Sequence, residues 1–332
     1  MQPLSRHIVR ALALFLVSAG AVAAAPKAGA WIENDQNYGL FNLYVYLPQQ
    51  AKPKLSSKRA LMVVLHGCKQ TVNGDIMGKR SGWENVAEQY GMVIAAPDVP
   101  ETNSPGSRLF AGCWDWFGTE HARGGRDIGP LAGMIKGLQA RPELNIDAAQ
   151  VYVVGMSSGG AVAQVLACAY PELVAGVGLH SAPAMGSNVM DMFGLPKVEA
   201  ATIVENCQRY AEGQKSAFAS QIASVIHGSE DRMSHPAHAE RNREALQTLY
   251  GARQEAGKIA ETNQSNGSLH KDEKGKVRVA HIQVEGMGHA FAVGDGGSGG
   301  GTYGDTFHDY SHINYPAWVT RFFFENNLRA RR

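Results

Sequence analysis

Short apolar runs and longer amphipathic stretches alternate along this chain. The apolar runs have the length of strands, are rich in β-branched residues, and are bounded by glycine, proline or polar residues. They predict strands at 41–47, 61–65, 92–96, 151–154, 174–179, 223–226 and 277–284, the first of them half-exposed. Helical spacing predicts helices at 83–90, 128–140, 160–170 and 317–328. We expect Pro130 to break the second helix near its start.

Strands that alternate with helices predict an α/β fold with a mostly parallel central sheet and helices on both faces. Residues 181–223 interrupt this alternation with two prolines, several glycines and a cluster of methionines. Two interpretations stay open for this segment, a small cap-like insertion over a functional site and a plain surface loop with short helices. The whole of 24–332 is expected to form one domain, since this length is ordinary for a single α/β unit.

The first residues are typical of a secretory leader. Arg6 and Arg10 give a basic start, 11–17 is apolar, and Ala21-Val22-Ala23 is a small-residue cleavage site. The apolar part is too short to span a bilayer. We therefore predict a signal peptide at 1–23 and a secreted protein, either extracellular or periplasmic.

Charge and composition narrow the choice of partners. The chain has 31 basic and 30 acidic residues, and 29 basic residues remain once the two leader arginines are removed. This nearly equal number of basic and acidic residues gives no electrostatic reason to expect a nucleic acid or an anionic membrane as partner. The oligomeric state is not predicted.

The strand at 151–154 runs directly into Gly155-Met156-Ser157-Ser158-Gly159, and a helix follows. A strand that turns sharply into a helix places the middle serine at the apex with its hydroxyl exposed, and the flanking glycines allow the crowded turn. Ser157 is therefore predicted to be a nucleophile.

A serine nucleophile requires a histidine as general base and a carboxylate that orients it, here in the chain order serine, acid, histidine. Asp231 lies in the turn after the strand at 223–226, and its neighbour Glu230 is the competing candidate. His289 lies in a glycine-flanked loop just after the strand at 277–284. We predict a triad of Ser157, Asp231 and His289.

Two backbone amides are expected to stabilise the oxyanion that such a reaction forms. One is the amide of Ser158, directly after the nucleophile. The other is assigned to Cys68, in the loop His66-Gly67-Cys68 that follows the strand at 61–65. His66 is interpreted as a structural residue that braces this loop.

Other conspicuous residues give weaker indications. His235 and His238, and likewise His308 and His312, are not expected to bind a metal, because a closed metal site near Asp231 would consume the carboxylate. The glycine-rich stretch 294–304 lacks the ending of a phosphate-binding loop. No metal or organic cofactor is predicted. Trp114 and Trp116, with Phe117, could form the floor of an apolar groove or equally well belong to the core.

Motifs of one known family occur in seven stretches of the chain. They are 61–70 (LMVVLHGCKQ), 81–97, 113–117 (CWDWF), 145–160, 227–231, 286–291 and 301–303. In these stretches the chain resembles the esterase family that includes poly(3-hydroxybutyrate) depolymerases together with related feruloyl and acetylxylan esterases. The resemblance implies an α/β-hydrolase fold, and it places the triad on the same three residues. Phe291 is assigned to the substrate groove together with Trp114 and Trp116. It is also one departure from the family, which commonly has tryptophan after His-Ala, and this departure affects the detail of the groove but not the chemistry.

The four cysteines allow three pairings, and the residues alone do not choose among them. The resemblance implies Cys68 with Cys113, which leaves Cys168 with Cys207. The first bond would hold the loop whose amide must point at the oxyanion.

The resemblance also implies hydrolysis of poly(3-hydroxybutyrate)-type polyesters or their oligomers through an acyl-enzyme on Ser157. Few residues follow the last predicted helix, so amorphous polymer or soluble oligomers are expected rather than crystalline polymer. Three alternatives remain. They are an esterase acting on feruloyl or acetyl groups of plant polysaccharides, a hydrolase of a polyamide such as poly(aspartic acid), and a non-catalytic binding protein.

Overall fold

The computed structural model describes residues 27–33, 36–49, 52–77, 81–99, 112–259, 265–294 and 307–330. The predicted signal peptide lies outside these residues, and so does most of the glycine-rich stretch. The strands of the main sheet are β1 (Trp31–Glu33), β2 (Leu43–Tyr46), β3 (Arg59–Leu65), β4 (Val93–Pro97), β5 (Ile146–Met156), β6 (Gly176–His180), β7 (Ile222–Gly228), β8 (Gln254–Lys258), β9 (Ser265–Lys271) and β10 (Val277–Val284). Two short strands, β11 (Phe291–Ala292) and β12 (His308–Asp309), pair separately.

The main sheet has the order β1-β2-β4-β3-β5-β6-β7-β10-β9-β8. Its six central strands, from β4 to β10, pair in parallel. Antiparallel strands extend it at both edges, β2 and β1 on one side and β9 and β8 on the other. The predicted mostly parallel sheet is confirmed.

Helices cover both faces of this sheet. They are α1 (Trp83–Tyr90), α2 (Ile128–Gln139), α3 (Ser158–Ala169), α4 (Ala200–Tyr210), α5 (Ala237–Tyr250) and α6 (Tyr315–Asn326). One apolar core contains residues of α2 to α5, and a second contains residues of α1 and α6. Along β3, Leu61 and Val63 belong to the first core while Met62 and Val64 belong to the second. Because both faces are covered, a continuous apolar run is the pattern that this strand requires.

Two expectations about local structure are wrong. The sequence predicts a half-exposed β2, but all four of its residues are buried, and the hydroxyl of Tyr46 donates to Glu88 at 2.8 Å. The tyrosine rings of β2 are buried while the hydroxyl groups form hydrogen bonds, so a polar side-chain atom does not require an exposed strand. Pro130 does not break α2, because it lies in the first turn, where the N–H that proline lacks would have no acceptor within the helix.

The segment 181–223 contains a 3-10 turn at Val189–Phe193, the helix α4 and a second 3-10 stretch at Glu212–Ser220. α4 packs against α3 and α5. The turn at 189–193 lies beside the cavity described below. A cap over the site stays a prediction.

Both disulfides implied by the resemblance are present, Cys68–Cys113 and Cys168–Cys207. The first joins the loop after β3 to the segment before α2, and the second joins α3 to α4. None of the described helices combines the length and the apolar character needed to cross a bilayer.

Candidate active site

Four of the parallel strands, β3, β5, β7 and β10, end at the same edge of the sheet. The loops that follow them carry Cys68, Ser157, Asp231 and His289. In parallel sheets the carboxyl ends of the strands are where ligands bind. The fold therefore brings together four candidate residues that are far apart in the sequence.

Ser157 lies at the turn between β5 and α3 with φ 53° and ψ −121°, a backbone conformation that residues other than glycine rarely adopt. Its amide donates to the carbonyl oxygen of His180 at 2.8 Å, and its own carbonyl accepts from the amide of Ala161 at 3.0 Å. A Cβ on Gly155 would overlap the backbone of Gly159, and a Cβ on Gly159 would overlap the carbonyl oxygen of Leu65. Both glycines of the motif are therefore required by close backbone approach.

Asp231 and His289 form a direct contact. His289 Nδ1 lies 2.7 Å from Asp231 Oδ2, and Asp231 is only 3% exposed. Burial raises the pKa of the Asp231 carboxyl, but hydrogen bonds from His227 and His289 outweigh it and hold this pKa well below its usual range. The neighbouring Glu230 is exposed, and its amide donates to the carbonyl of Met287. The geometry selects Asp231 over Glu230 as the partner of His289.

A cavity of about 370 Å³ opens at this edge, and both Ser157 and His289 line it. Among its described lining residues, Lys69 and His289 alone are ionisable. The rest of the wall is largely apolar. It includes Trp116, Phe117, Met156, Val189, Met192, Phe193, Met233 and Phe307. The cavity is therefore suited to an uncharged, apolar group placed against the Ser157 hydroxyl.

The loop after β3 reaches the same cavity. Gly67 lies against Ser157, since a Cβ on Gly67 would be 3.3 Å from the Ser157 Cβ. The Gly67 amide donates to Gln70 Oε1 at 2.6 Å, and the next residue, Cys68, is bonded to Cys113. Ser158 is the first residue of α3, so its amide has no acceptor within the helix.

His66 braces this loop from behind. Its Nε2 accepts from the amide of Val99 at 3.1 Å, which places the ring proton on Nδ1, and Nδ1 donates to the carbonyl of Gly67 at 2.7 Å. Burial lowers the pKa of His66 and so favours this neutral form. The indole N–H of Trp114 donates to the His66 carbonyl at 2.9 Å. These contacts fit the bracing role expected of His66.

Of the four aromatic residues suggested for the groove, Trp116 and Phe117 line the cavity. Trp114 is fully buried, and its polar atom is engaged with His66, so it supports the loop rather than the wall. Phe291 is also buried, and its ring packs against His180 with centroids 4.8 Å apart. Trp114 and Phe291 both belong to the apolar cores, so their assignment to the substrate groove is wrong.

The histidines outside the triad have local partners. His238 accepts from the amide of Ala184 at 3.0 Å, and His312 Nδ1 lies 2.8 Å from Asp309. His308 Nε2 contacts the carbonyl of Asp75 at 2.9 Å. In the part of the chain that the structure describes, no group of three or more His, Cys, Asp or Glu residues is arranged to hold a metal ion.

The arrangement of sheet, helices and serine turn is that of the α/β-hydrolase fold. The solved acetyl xylan esterase from Aspergillus awamori superposes with a TM-score of 0.62 over 78% of this chain and 94% of that one, at 22% identity. A family model described as "Esterase PHB depolymerase" matches residues 41–265. The chain belongs to this family.

Two curated relatives illustrate its range. A poly(3-hydroxybutyrate) depolymerase from Ralstonia pickettii is 33% identical over 306 residues, which is 90% of this chain and 61% of the relative. Feruloyl esterase B from Neurospora crassa is 34% identical over 166 residues, which is 49% of this chain and 50% of the relative. The matched part is thus less than two thirds of either relative's own length.

Proposed function

We propose that this protein is a secreted serine esterase that cleaves poly(3-hydroxybutyrate)-type polyesters or their oligomers. The observation that carries the proposal is the placement of Ser157, on its strained turn, in one cavity with the His289–Asp231 pair. A serine at such a turn with a carboxylate-oriented histidine is the arrangement that acyl transfer requires.

The proposed reaction has two steps. His289 takes the hydroxyl proton of Ser157 as Oγ attacks the ester carbonyl, and the amides of Cys68 and Ser158 stabilise the oxyanion. The carbon–oxygen bond to the alcohol then breaks, the alcohol takes the proton from His289, and an acyl group stays on Ser157. Water, deprotonated by His289, attacks this acyl-enzyme, and the acid leaves as Ser157 regains its proton.

The cavity wall and the family support an aliphatic ester as substrate. Hydroxyalkanoate units carry no charge inside the chain, and the wall that would receive them is mostly methionine, valine and aromatic side chains. The second candidate is an esterase for feruloyl or acetyl groups of plant polysaccharides, which is favoured by the names of two other relatives, a feruloyl esterase B and an acetylxylan esterase A. The two disulfides and the predicted leader support secretion.

The test is hydrolysis of amorphous poly(3-hydroxybutyrate) and of its soluble trimer, with feruloyl, acetylxylan and poly(aspartic acid) substrates alongside. We expect release of 3-hydroxybutyrate by the wild type and a loss of at least about 10³-fold in Ser157→Ala. A matched control is Ser181→Ala, since Ser181 is also buried and its Oγ has no hydrogen-bond partner within the described structure. Turnover of only the aromatic or acetyl esters would transfer the assignment to the second candidate. Full activity of Ser157→Ala would contradict the mechanism for every ester.

A further inference from the structure

A second histidine contacts the carboxylate of Asp231. His227 Nε2 lies 3.1 Å from Asp231 Oδ2, the same oxygen that His289 Nδ1 contacts at 2.7 Å. The other oxygen, Oδ1, accepts from the amides of Met233 at 2.9 Å and Ser234 at 2.8 Å. Oδ1 therefore has two amide donors, while Oδ2 has His289 Nδ1 and the Nε2 of His227, whose one proton is shared with the carbonyl oxygen of Ser234 at 2.7 Å. Rotation of the carboxylate would break contacts on both oxygens.

The surroundings of His227 fix where its proton is. Nε2 lies within reach of two acceptors, Asp231 Oδ2 and the carbonyl oxygen of Ser234 at 2.7 Å. Since neither of these can donate when Asp231 is ionised, the proton must be on Nε2. Nδ1 is buried and has no partner within the described part of the chain. The polar contacts of this ring are thus directed entirely towards Asp231 and the turn that holds it.

The position of His227 in the fold is rigid. It lies in β7, a central strand, where it pairs with Gln283 of β10, and it is 1% exposed. A Cβ on the next residue, Gly228, would overlap the carbonyl of Met287, so β7 and the loop before His289 are in close contact. A rigid strand thus supports the histidine that contacts Asp231, whereas His289 itself comes from a loop.

We propose that His227 is a positioning residue for the hydrolytic reaction, which holds Asp231 Oδ2 in line with His289 Nδ1 through its own Nε2–H. The inference rests on the proposed function of the same site. When Ser157 attacks, His289 becomes positively charged, and Asp231 must stay ionised and in place to stabilise it. An N–H donor on Oδ2 favours the ionised carboxylate. Nδ1 of His227 has no acceptor within the described structure, so the ring offers no partner for a second proton whose charge would compete with His289.

Other titratable groups near His227 do not obscure this effect. They come from three elements packed against it, with His180 on β6, His238 on α5 and His281 on β10. Burial lowers the pKa of each, and that of His281 is lowered to about 4. These three rings are neutral near pH 7. A shift of the pH profile of kcat near pH 7 would therefore report on the Asp231–His289 pair.

The test compares His227→Leu, which removes the donor, with His227→Gln, whose amide can present an N–H near the same place. Steady-state kinetics on p-nitrophenyl acetate make the result independent of the polymer question. We expect His227→Leu to lower kcat about 10- to 100-fold with little change in KM, and to move the acidic limb of the pH profile upward. The limb moves upward because Asp231 without the His227 donor has more uncompensated negative charge, which stabilises the protonated form of His289. His227→Gln should recover most of both effects.

The matched control is His281→Leu, which removes a buried histidine from the neighbouring strand β10 without touching Asp231. A structural role alone predicts that His227→Leu and His281→Leu lose similar thermal stability and keep the wild-type pH profile, and this outcome would overturn the proposal. Equal kcat in wild type and His227→Leu would overturn it as well.

A measurement on the wild type can contradict the proposal even if His227→Leu does not fold. Nitrogen-15 NMR of histidine-labelled protein, with His227→Gln for assignment, should show His227 protonated on Nε2 at pH 7. Protonation on Nδ1 instead would exclude the donor and contradict the proposal. Because no substrate is present, this result stands apart from the proposed function, whose own failure would appear as full activity in Ser157→Ala.

Discussion

The backbone of Ser157 illustrates how single residues create the site. A φ of 53° at a residue with a side chain costs of order 1–3 kcal/mol, so the surrounding structure must stabilise it. The hydrogen bond from its amide to His180, the first turn of α3, and the close contact of Gly159 with Leu65 do so. This backbone conformation keeps the hydroxyl of Ser157 outside the helix and in the wall of the cavity.

Replacement of Asp231 by asparagine tests the acid at this scale. The new side-chain amide would present either its NH₂ group or its oxygen to His289, and in the first case the histidine proton would move to the wrong ring nitrogen. We expect kcat on a soluble ester to fall about 10³–10⁴-fold in Asp231→Asn while the fold is retained. The control is Glu230→Gln, since Glu230 is the exposed carboxylate next to Asp231 in the same turn. Loss of activity in Glu230→Gln with normal activity in Asp231→Asn would reverse the assignment.

The candidate triad residues were predictable from the sequence because each follows a recognisable strand. Ser157, Asp231 and His289 have both a chemical side chain and a local pattern, and the structure brings all three together. The apolar wall has no such pattern. Val189 and Phe307 come from distant segments, and nothing in the spacing of apolar residues distinguishes a cavity wall from a core.

At the scale of elements, strands with two buried faces were recognisable from the sequence, and an exposed edge strand was not. β3 and β10 are recognisable by their apolar residues, and β10 has the predicted limits. β8 is exposed along nearly its whole length and reads QEAGK, so hydrophobicity could not reveal it. It pairs with β9 at the edge of the sheet, where backbone hydrogen bonds rather than buried side chains define the strand.

The two disulfides act on different elements and should have different consequences. They close segments of similar length, with separations of 45 and 39 residues, so their removal should cost similar stability, about 2–4 kcal/mol each. Only Cys68–Cys113 holds the loop that carries a proposed oxyanion donor. We expect Cys68→Ala/Cys113→Ala to lower kcat about 10-fold or more, consistent with the cost of a displaced donor.

The matched variant is Cys168→Ala/Cys207→Ala, which removes the link between α3 and α4 and leaves that loop untouched. Its urea midpoint should fall while kcat at 25 °C stays near the wild-type value. Equal losses of kcat in the two variants would show that neither disulfide acts through the loop.

At the scale of the whole molecule, burial on both faces of the sheet encloses several histidines. Burial lowers the pKa of six of them, namely His66, His121, His180, His238, His270 and His281. A buried neutral imidazole is tolerated because at least one ring nitrogen has a partner, as with His66 and the Val99 amide. The native state therefore binds fewer protons than the unfolded chain in mildly acidic solution.

This difference predicts how the free energy of unfolding depends on pH. Unfolded histidines titrate near pH 6.5, so stability should be full above that value and fall as the pH drops towards 4. His281, whose pKa is lowered to about 4, contributes up to about 1.4 kcal/mol per pH unit over this range. The depressed carboxyl pKa of Asp231 acts in a separate window, because its stabilisation is lost only below about pH 4. Urea unfolding at pH 7.5, 6.5, 5.5 and 4.5 should show the decline, and His281→Gln should flatten it. A constant free energy across these values would mean that the buried histidines do not govern acid stability. An unchanged slope in His281→Gln would exclude His281 as a contributor.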